Sequence, residues 1–243
     1  MFSIHHNSIS ICKPFFKLFN NIIDQVACII NEHGIHIKSS NHKFVIHSVL
    51  DNWHFDHYKW KSENIVQISI RDINRIFDKH DTYSSIQIVY KNRNCMLFIL
   101  NKTNIYSIPC SIINNKDYIH RILNVDDLDY SVEFDIEPKY IYSILSTIKK
   151  KAKTITITSN PKTQDIFINN IKLEHSSLYT YLFILSIHQT FSIQYIHQFI
   201  KNCIRNKYKS ILLGLYPNKS MKMLLYLDDL NYIEYYIRPL KSC

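Results

Sequence analysis

Glycine is almost absent from this sequence, which has two glycines among 243 residues. The scarcity excludes a glycine-rich loop of the kind whose backbone amides cradle the phosphates of a nucleotide. No arrangement of Ser, His and Asp, or of Cys and His, has the pattern typical of nucleophilic catalysis. These absences leave the chain without a recognisable motif for either chemistry.

Paired cysteines and long apolar runs are missing as well. The six cysteines are scattered and form no CxxC motif. A chain of this length builds its own core, so we expect no disulfide framework and a reducing compartment. No apolar run reaches the about 18 residues of a membrane-spanning helix, and no basic segment followed by an apolar stretch opens the chain. The expectation is an intracellular protein that does not span a membrane.

Positive charge is what the sequence has in excess. Lys and Arg number 29 against 20 Asp and Glu, which gives a net charge of +9. Such a balance favours an anionic partner, most often nucleic acid or a membrane surface. The alternative is a solvated, lysine-rich surface, because an AT-rich genome also enriches Lys, Asn, Ile and Tyr. Only clustered charges therefore count toward function.

The stretch from Gly34 to Phe77 carries the clearest structural pattern. Alternation of apolar and polar residues predicts strands at Ile35–Ile37, Phe44–Val49 and Val66–Ile70. Helical spacing then begins, and Arg71–Lys79 is predicted as a helix with an apolar face and a cationic stripe. A half-buried sheet followed by such a helix suits the binding of an anion.

The same layout occurs twice along the chain. Short strands joined by hairpins predict antiparallel sheets, and with the helices they predict an α+β fold of two similar domains. The predicted domains are 1–113 and 130–243, joined by a connector at 114–129. In the second domain we predict one strand at Tyr179–Ile187, while Pro109 is expected to interrupt a strand at Ile105–Ile113 and mark an edge or a bulge.

Four helices are predicted: Ser10–Ile23, Arg71–Lys79, one beginning at Pro138 and one capped by Ser192. Each has an apolar face and a polar face with at least two Lys or Arg. One such helix is commonplace, but four in a duplicated unit suggest a common cationic surface.

Specific segments resemble a known family. GIHIKSSNHKFVIHSVL, WHFDHYKW and QISIRDINRIF, in that order, resemble the first domain of DNA polymerase sliding clamps, the proliferating cell nuclear antigen family. YLDDLNYIEYYIRPL resembles the closing hairpin of these clamps. The resemblance implies a ring around duplex DNA, expected to be a homotrimer. Such a ring is not an enzyme and needs no cofactor or metal; it tethers polymerases and other replication or repair proteins, is placed by a clamp loader, and works in the nucleus or at a viral replication site.

Spacing and resemblance together assign DNA contact to cations on the four helices. A sliding surface must attract phosphates without reading bases, which suits Lys and Arg on rigid helices. The predicted residues are Lys13, Lys17, Arg71, Arg75, Lys79, Lys139, Lys150, Lys201 and Arg205.

The resemblance also implies an apolar pocket for partner proteins beneath the connector. Its predicted residues are Ser40, Phe44, Ile122, Leu123, Val125, Leu128, Ile237, Arg238, Pro239 and Leu240. Ser40 stands where the family has a larger apolar residue, and Phe44 and Leu128 could instead be core residues. Subunits are expected to join by pairing the strands Ile105–Ile113 and Ile171–His175.

Three alternatives stay open at this point. The charge of +9 departs from the acidic balance of the family and fits a clamp-like viral processivity or checkpoint subunit that binds DNA directly as a monomer, dimer or heterotrimer. Tyr226-Leu227-Asp228-Asp229 matches the YxDD of metal-dependent nucleotidyl transfer enzymes. His54 and His57, with Asp51 and Asp56 nearby, have a spacing found in metal sites.

Overall fold

A computed structural model describes residues 2–40, 43–61, 64–92, 95–113, 130–174, 178–227 and 231–240 of the chain. It is mixed α+β, and the pairings it describes are antiparallel, which confirms the predicted fold class. The chain forms two compact units. The first comprises Met1–Ser39, His47–Asn124 and Leu227–Tyr232; the second comprises Ser40–Ile46, Val125–Tyr226 and Ile233–Cys243. The predicted domain boundaries remain a prediction, and the predicted connector lies outside the described residues.

In the described part of the first unit there are nine strands. They are β1 (Phe2–His6), β2 (Gln25–Asn31), β3 (Gly34–Ser40), β4 (Phe44–Asp51), β5 (His57–Lys59), β6 (Asn64–Ser69), β7 (Ile86–Asn92), β8 (Cys95–Leu100) and β9 (Asn104–Ile112). Their spatial order is β4-β3-β2-β6-β9-β8-β7-β1-β5. The start of β4 belongs to the second unit. A short 3-10 turn at Asn52–His54 separates β4 from β5.

Strand β9 runs through Pro109 without the predicted interruption, although Pro109 lies where β9 pairs on one side only, as the predicted edge requires. It pairs with β8 from Asn104 to Pro109 and with β6 from Cys110 to Ile112. Proline lacks an amide hydrogen and cannot donate to a ladder. Its position is therefore the point at which β9 changes partners, and the strand continues on both sides.

Two helices of the first unit pack on each other through aromatic side chains. They are α1 (Cys12–Leu18) and α2 (Ile70–Asp78). The Ser69 hydroxyl caps α2 by accepting from the Asp72 amide at 3.2 Å. Phe16 of α1 lies 5.9 Å from Phe77 of α2 between ring centroids, and the buried Asn74 side chain donates to the Phe16 carbonyl at 3.3 Å.

Helix α1 is shorter than the predicted Ser10–Ile23. It has no side-chain cap at its start, and the residues after Leu18 form turns. Asn21 has a left-handed φ of 60°, which a helix does not accommodate. The apolar spacing extended past the helix because Phe19 is buried from the turn as well.

Nine further strands lie in the described part of the second unit. They are β10 (Val132–Ile136), β11 (Thr154–Asn160), β12 (Asp165–Ile168), β13 (Ile171–Lys172), β14 (Leu178–Phe183), β15 (Ile187–Ser192), β16 (Ile211–Leu215), β17 (Met221–Tyr226) and β18 (Tyr232–Ile237). Their orders are β14-β10-β16-β17-β18 and β13-β12-β11-β15. Strand β18 takes its first residue, Tyr232, from the first unit.

The single strand predicted at Tyr179–Ile187 is wrong. The chain leaves β14 at Phe183, turns, and enters β15 at Ile187. β14 pairs with β10, whereas β15 pairs with β11 in the other sheet. The turn contains no glycine or proline, and its Ile184 and Leu185 are 60% and 43% exposed. Because these two residues are apolar like the strands on either side, the sequence gives no signal of a turn.

Among its described residues the second unit has two longer helices, α3 (Pro138–Lys149) and α4 (Ile193–Arg205). Pro138 occupies the first turn of α3, as predicted. Ser192 stands at the N-cap of α4, but its side chain makes no capping hydrogen bond. Beyond the other end, the amides of Lys207 and Tyr208 donate to the carbonyls of Ile204 and Cys203, which forms a Schellman motif.

The scarcity of glycine affects which residues occupy the left-handed backbone positions of the turns. Gly34 has a φ of 136°, and a Cβ there would lie 2.1 Å from the Leu50 carbonyl oxygen, so this position requires glycine. Outside the segments that the structure leaves undescribed, seven other residues adopt left-handed φ without being glycine. They are Asn21, Asn101, Lys102, Gln164, Asn169, Lys207 and Asn218. Asparagine is the side chain that best tolerates this conformation, which accounts for four of the seven.

Candidate nucleic-acid interface

The cations predicted on α1 and α2 are largely engaged with carboxylates. Lys17 Nζ lies 2.6 Å from the Asp78 carboxylate, which joins the two helices. Arg71 contacts Asp24 at 2.9 Å. Three of the five predicted cations are ion-paired, the third being Arg75 with Asp72 at 3.3 Å. These pairs are substantially exposed and add little to stability, but they reduce the charge offered to a phosphate.

Lys13 and Lys79 have other partners. Lys13 Nζ donates to the His80 carbonyl at 2.7 Å, and burial together with nearby Lys17 lowers its pKa, against the opposing effect of Asp78 and Asp81. Lys79 is exposed, with its ammonium 5.8 Å from the centre of the Tyr106 ring. Both side chains lie at the protein surface, and each already contacts another group of the protein.

Acidic residues nearly cancel the charge around these two helices. The five predicted cations are accompanied by Asp24, Asp72, Asp78 and Asp81, so the local balance is five minus four, or +1. The cationic stripe predicted from spacing is present, but nearby carboxylates reduce its net positive charge.

The faces of α3 and α4 are different, because neither helix contains an acidic residue. Lys139 on α3, Lys150 at the C-cap of α3 and Arg205 on α4 are exposed, and Lys201 is half-buried. Residues 138–164 hold six Lys and no Asp or Glu, and residues 175–227 also lack Asp and Glu. Among the residues with a described structure, none of these four cations is ion-paired. This surface, hereafter the basic α3–α4 face, carries positive charge that no carboxylate within either helix compensates, although Glu137 stands at the N-cap of α3.

Lys149 belongs to the basic α3–α4 face but was not among the predicted residues. It is exposed at the last turn of α3, and its ammonium lies 3.2 Å from Nδ1 of His197 on α4. The run Lys149–Lys150–Lys151 contained the signal. Helical spacing predicted Lys150 as a residue of the polar face. Spacing within one helix cannot predict a contact with another helix, and it therefore missed Lys149.

The predicted partner-binding residues are only partly described, since Ile122, Leu123, Val125 and Leu128 lie outside the described residues. Phe44 is 1% exposed, with its ring centroid 5.3 Å from that of Tyr195 and 5.4 Å from that of Tyr235. This is the packing of a core residue. Ser40 ends β3 and is half-buried. The pocket as a whole remains a prediction.

The tail residues of the predicted pocket follow β18. Ile237 is buried at the end of the strand. The Arg238 amide donates to the Lys43 carbonyl at 2.9 Å, and the Leu240 amide donates to Thr190 at 2.8 Å. These two bonds hold the tail, including Pro239, against the second unit, and Leu240 remains 41% exposed.

The two metal alternatives receive no support from the described positions. Tyr226 ends β17 and is 62% exposed, while Asp228 and Asp229 lie outside the described residues. Asp56 lies 3.4 Å from His6 and accepts from the Asn7 amide. The described part of the chain contains no group of three His, Cys, Asp or Glu side chains that could hold a metal ion.

The cysteines and the membrane expectation can also be compared with the structure. The five cysteines that lie among the described residues are free, and Cys243 lies beyond them. Among the described helices, none is long and apolar enough to cross a membrane.

Comparison with known proteins gives a match in structure only. No family model matches the sequence, and no curated protein matches it. A crystal structure of the proliferating cellular nuclear antigen of Entamoeba histolytica matches with a TM-score of 0.82 and 13% sequence identity, over 99% of both chains. The chain therefore has the fold of that nuclear antigen over its whole length, and the resemblance predicted from the sequence is confirmed as a resemblance of fold.

Proposed function

We propose that this protein is a sliding clamp: a homotrimeric ring that encircles duplex DNA and tethers a polymerase and other replication or repair proteins. The observation that carries the proposal is the fold match over 99% of both chains. A clamp needs no catalytic group, so a non-enzymatic role follows from the same proposal. The nucleus, or a viral replication site, is the corresponding location.

DNA contact is proposed for the nine cations predicted on the four helices, with Lys149 added. Phosphates attract Lys and Arg irrespective of base sequence, which is what a sliding surface requires. The basic α3–α4 face supports this role best, because no carboxylate on either helix competes with DNA for its ammonium and guanidinium groups.

Protein partners are proposed to bind as short peptide segments at the predicted pocket around the connector and the tail 237–240. A clamp loader is proposed to place the ring on DNA. The fold match supports both proposals, and the exposure of Leu240 supports the proposed peptide-binding pocket.

A second candidate is a clamp-like subunit that binds DNA directly, as a monomer, dimer or member of a heterotrimer. The positive charge of the basic α3–α4 face and the net charge of +9 favour it. Direct binding by phosphate contacts gives a salt slope of about −0.9 per contact, and this distinguishes it from topological linkage.

The test measures solution mass and retention on DNA. The full chain is loaded onto nicked circles with a clamp loader of the source organism, and half of each sample is linearised. A trimeric mass with salt-resistant retention on circles and loss from linear ends is the expected result.

A strict monomer that stays equally on linear and circular DNA would contradict the ring. If its affinity for short duplexes also fell steeply with salt, the second candidate would replace it.

A further inference from the structure

His197 on α4 lies against α3 in the basic α3–α4 face and is 7% exposed. Its ring centroid is 4.8 Å from that of Tyr142 on α3, with the rings tilted by 32°. Nδ1 lies 3.2 Å from Lys149 Nζ, and Nε2 lies 3.2 Å from Ser146 Oγ. A buried imidazole of α4 is thus bonded through both nitrogens to side chains of α3.

The partners determine the protonation state of this ring. An ammonium group can only donate a hydrogen bond, so Nδ1 accepts from Lys149 and carries no hydrogen. Nε2 then carries the hydrogen of the neutral ring and donates it to Ser146 Oγ. Burial, followed by the charges of Lys149 on α3 and Lys201 on its own helix, lowers the pKa of His197. Geometry and charge agree on a neutral imidazole.

We propose that His197 is a positioning residue of the basic α3–α4 face, whose neutral ring holds the Lys149 ammonium in place to meet a DNA phosphate. This inference rests on the proposed function. A long lysine side chain loses rotamer freedom when it binds, and a side chain already held by an acceptor loses less. His197 acts through Lys149 and itself touches no DNA.

The first arm of the test measures the contact without DNA. The pKa of His197 is followed by NMR in the full chain and in Lys149→Met. Because the substitution removes one of the two cations facing the ring, the pKa should rise toward its ordinary value of about 6.5. Lys162→Met, which removes an exposed lysine from a turn of the same unit, is the matched control and should cause no rise. An unchanged pKa in Lys149→Met overturns the proposal.

The second arm is a double-mutant cycle on the binding of a short fluorescent duplex. His197→Phe keeps an aromatic ring beside Tyr142 but removes both nitrogens. It should weaken binding roughly threefold, the ordering cost of one long side chain, when Lys149 is present. In the Lys149→Met background it should have no effect. Equal weakening in both backgrounds means that His197 acts by supporting the fold, and this overturns the proposal.

A conservative variant separates positioning from packing. The amide oxygen of His197→Gln can accept from the ammonium, so this variant should bind DNA within about twofold of the original chain. Melting temperatures identify any variant that fails to fold, and Lys149→Met, at an exposed position, keeps the first arm available in that case. Binding by His197→Gln as weak as by a folded His197→Phe counts against the proposal.

The two proposals fail in different ways. A fixed pKa of His197 in Lys149→Met overturns this inference and leaves the clamp untouched. A raised pKa, with DNA binding indifferent to the loss of Lys149, Lys150 and Arg205, overturns the DNA role of the whole face.

Discussion

At the residue scale, His36 on β3 is a half-buried histidine in a group of aromatic rings. Its centroid lies 6.4 Å from that of His47, with the rings within 11° of parallel, and His47 meets the edge of Tyr232. Burial, His47, Lys38 and His33 lower the pKa of His36 to about 4, against a smaller opposing effect of Asp51. The folded protein therefore keeps this ring neutral in mildly acidic solution.

This environment predicts an acid-sensitive contribution to stability. The unfolded chain binds a proton at His36 below its ordinary pKa of about 6.5, whereas the folded chain does so only near 4. The contribution is complete above about pH 6.5 and is lost as pH falls toward 4. After allowance for solvent screening, it should be on the order of 1–2 kcal/mol.

Urea unfolding at a series of pH values checks the size of this loss. His36→Phe retains a ring beside His47 and should show a shallower fall in the free energy of unfolding across that window. His188→Gln, at an exposed histidine of β15, is the control and should follow the original profile. Identical profiles for His36→Phe and the original chain would contradict the assignment.

Residue-level patterns could be predicted well where one face of a strand or helix meets a core. The predicted strand at Val66–Ile70 and the predicted helix at Arg71–Lys79 lie within two residues of the bounds of β6 and α2, because period and burial coincide there. Ion pairs could not be predicted. Asp24 lies 47 positions from Arg71, and no periodicity connects residues that only tertiary folding brings together.

At the element scale, the helices differ in how much positive charge they offer. Arg75 of α2 is paired with Asp72, and Lys79 at the C-cap of α2 lies near the Tyr106 ring. Lys150 and Arg205 of the basic α3–α4 face lack such partners among the described residues. Spacing gave the four helices equal weight. It identified the cations but not the carboxylates beside them.

Neutralising pairs of residues tests this difference. Lys150→Gln with Arg205→Gln should lower the salt slope of duplex binding by about 1.8, if each contact contributes about 0.9. Arg75→Gln with Lys79→Gln, the matched pair on α2, should lower it by less, because those cations are already engaged. All four positions are exposed, so melting temperatures should hold. A larger effect of the α2 pair would contradict the charge argument.

The end of α4 offers a stability test at the same scale. Lys207 occupies the left-handed position of the Schellman motif with a φ of 62°. Left-handed backbone costs a non-glycine residue about 1–2 kcal/mol, of which the greater unfolded-state entropy of glycine offsets a part.

Lys207→Gly should therefore raise the free energy of unfolding by about 0.5–1 kcal/mol, measured by urea titration. Lys209→Gly, at an exposed lysine two residues later without left-handed φ, is the control. Lys209→Gly should not raise the free energy of unfolding. A similar rise in this control would mean that Lys207→Gly stabilises the protein by removing a charge.

At the scale of the whole molecule, the proposed ring requires exposed strands that can pair between subunits. Strand β13 ends the order of its four-stranded sheet, and its Ile171 is 39% exposed. Ile105 is 64% exposed and lies on the part of β9 that pairs with β8 alone. Exposed apolar residues on such strands favour addition of a strand from another chain.

Ile171→Lys should therefore shift the solution mass from trimer to monomer while the melting transition of the monomer persists. Ile184→Lys, at an isoleucine 60% exposed in the turn between β14 and β15, is the matched control and should remain a trimer. A chain that is monomeric before any substitution would contradict the proposed ring, and sedimentation or light scattering gives the mass in each case.

The absence of acidic residues from positions 175–227 also affects how the basic α3–α4 face can be controlled. Lys and Arg keep their charge throughout the physiological pH range, so acidification does not switch off their attraction for anions. Competing ions and proteins can weaken this attraction: salt screens the face, and a partner segment rich in Asp or Glu would occupy the positions proposed for DNA phosphates. If the face binds DNA as proposed, a protein that brings its own carboxylates to it would release the DNA.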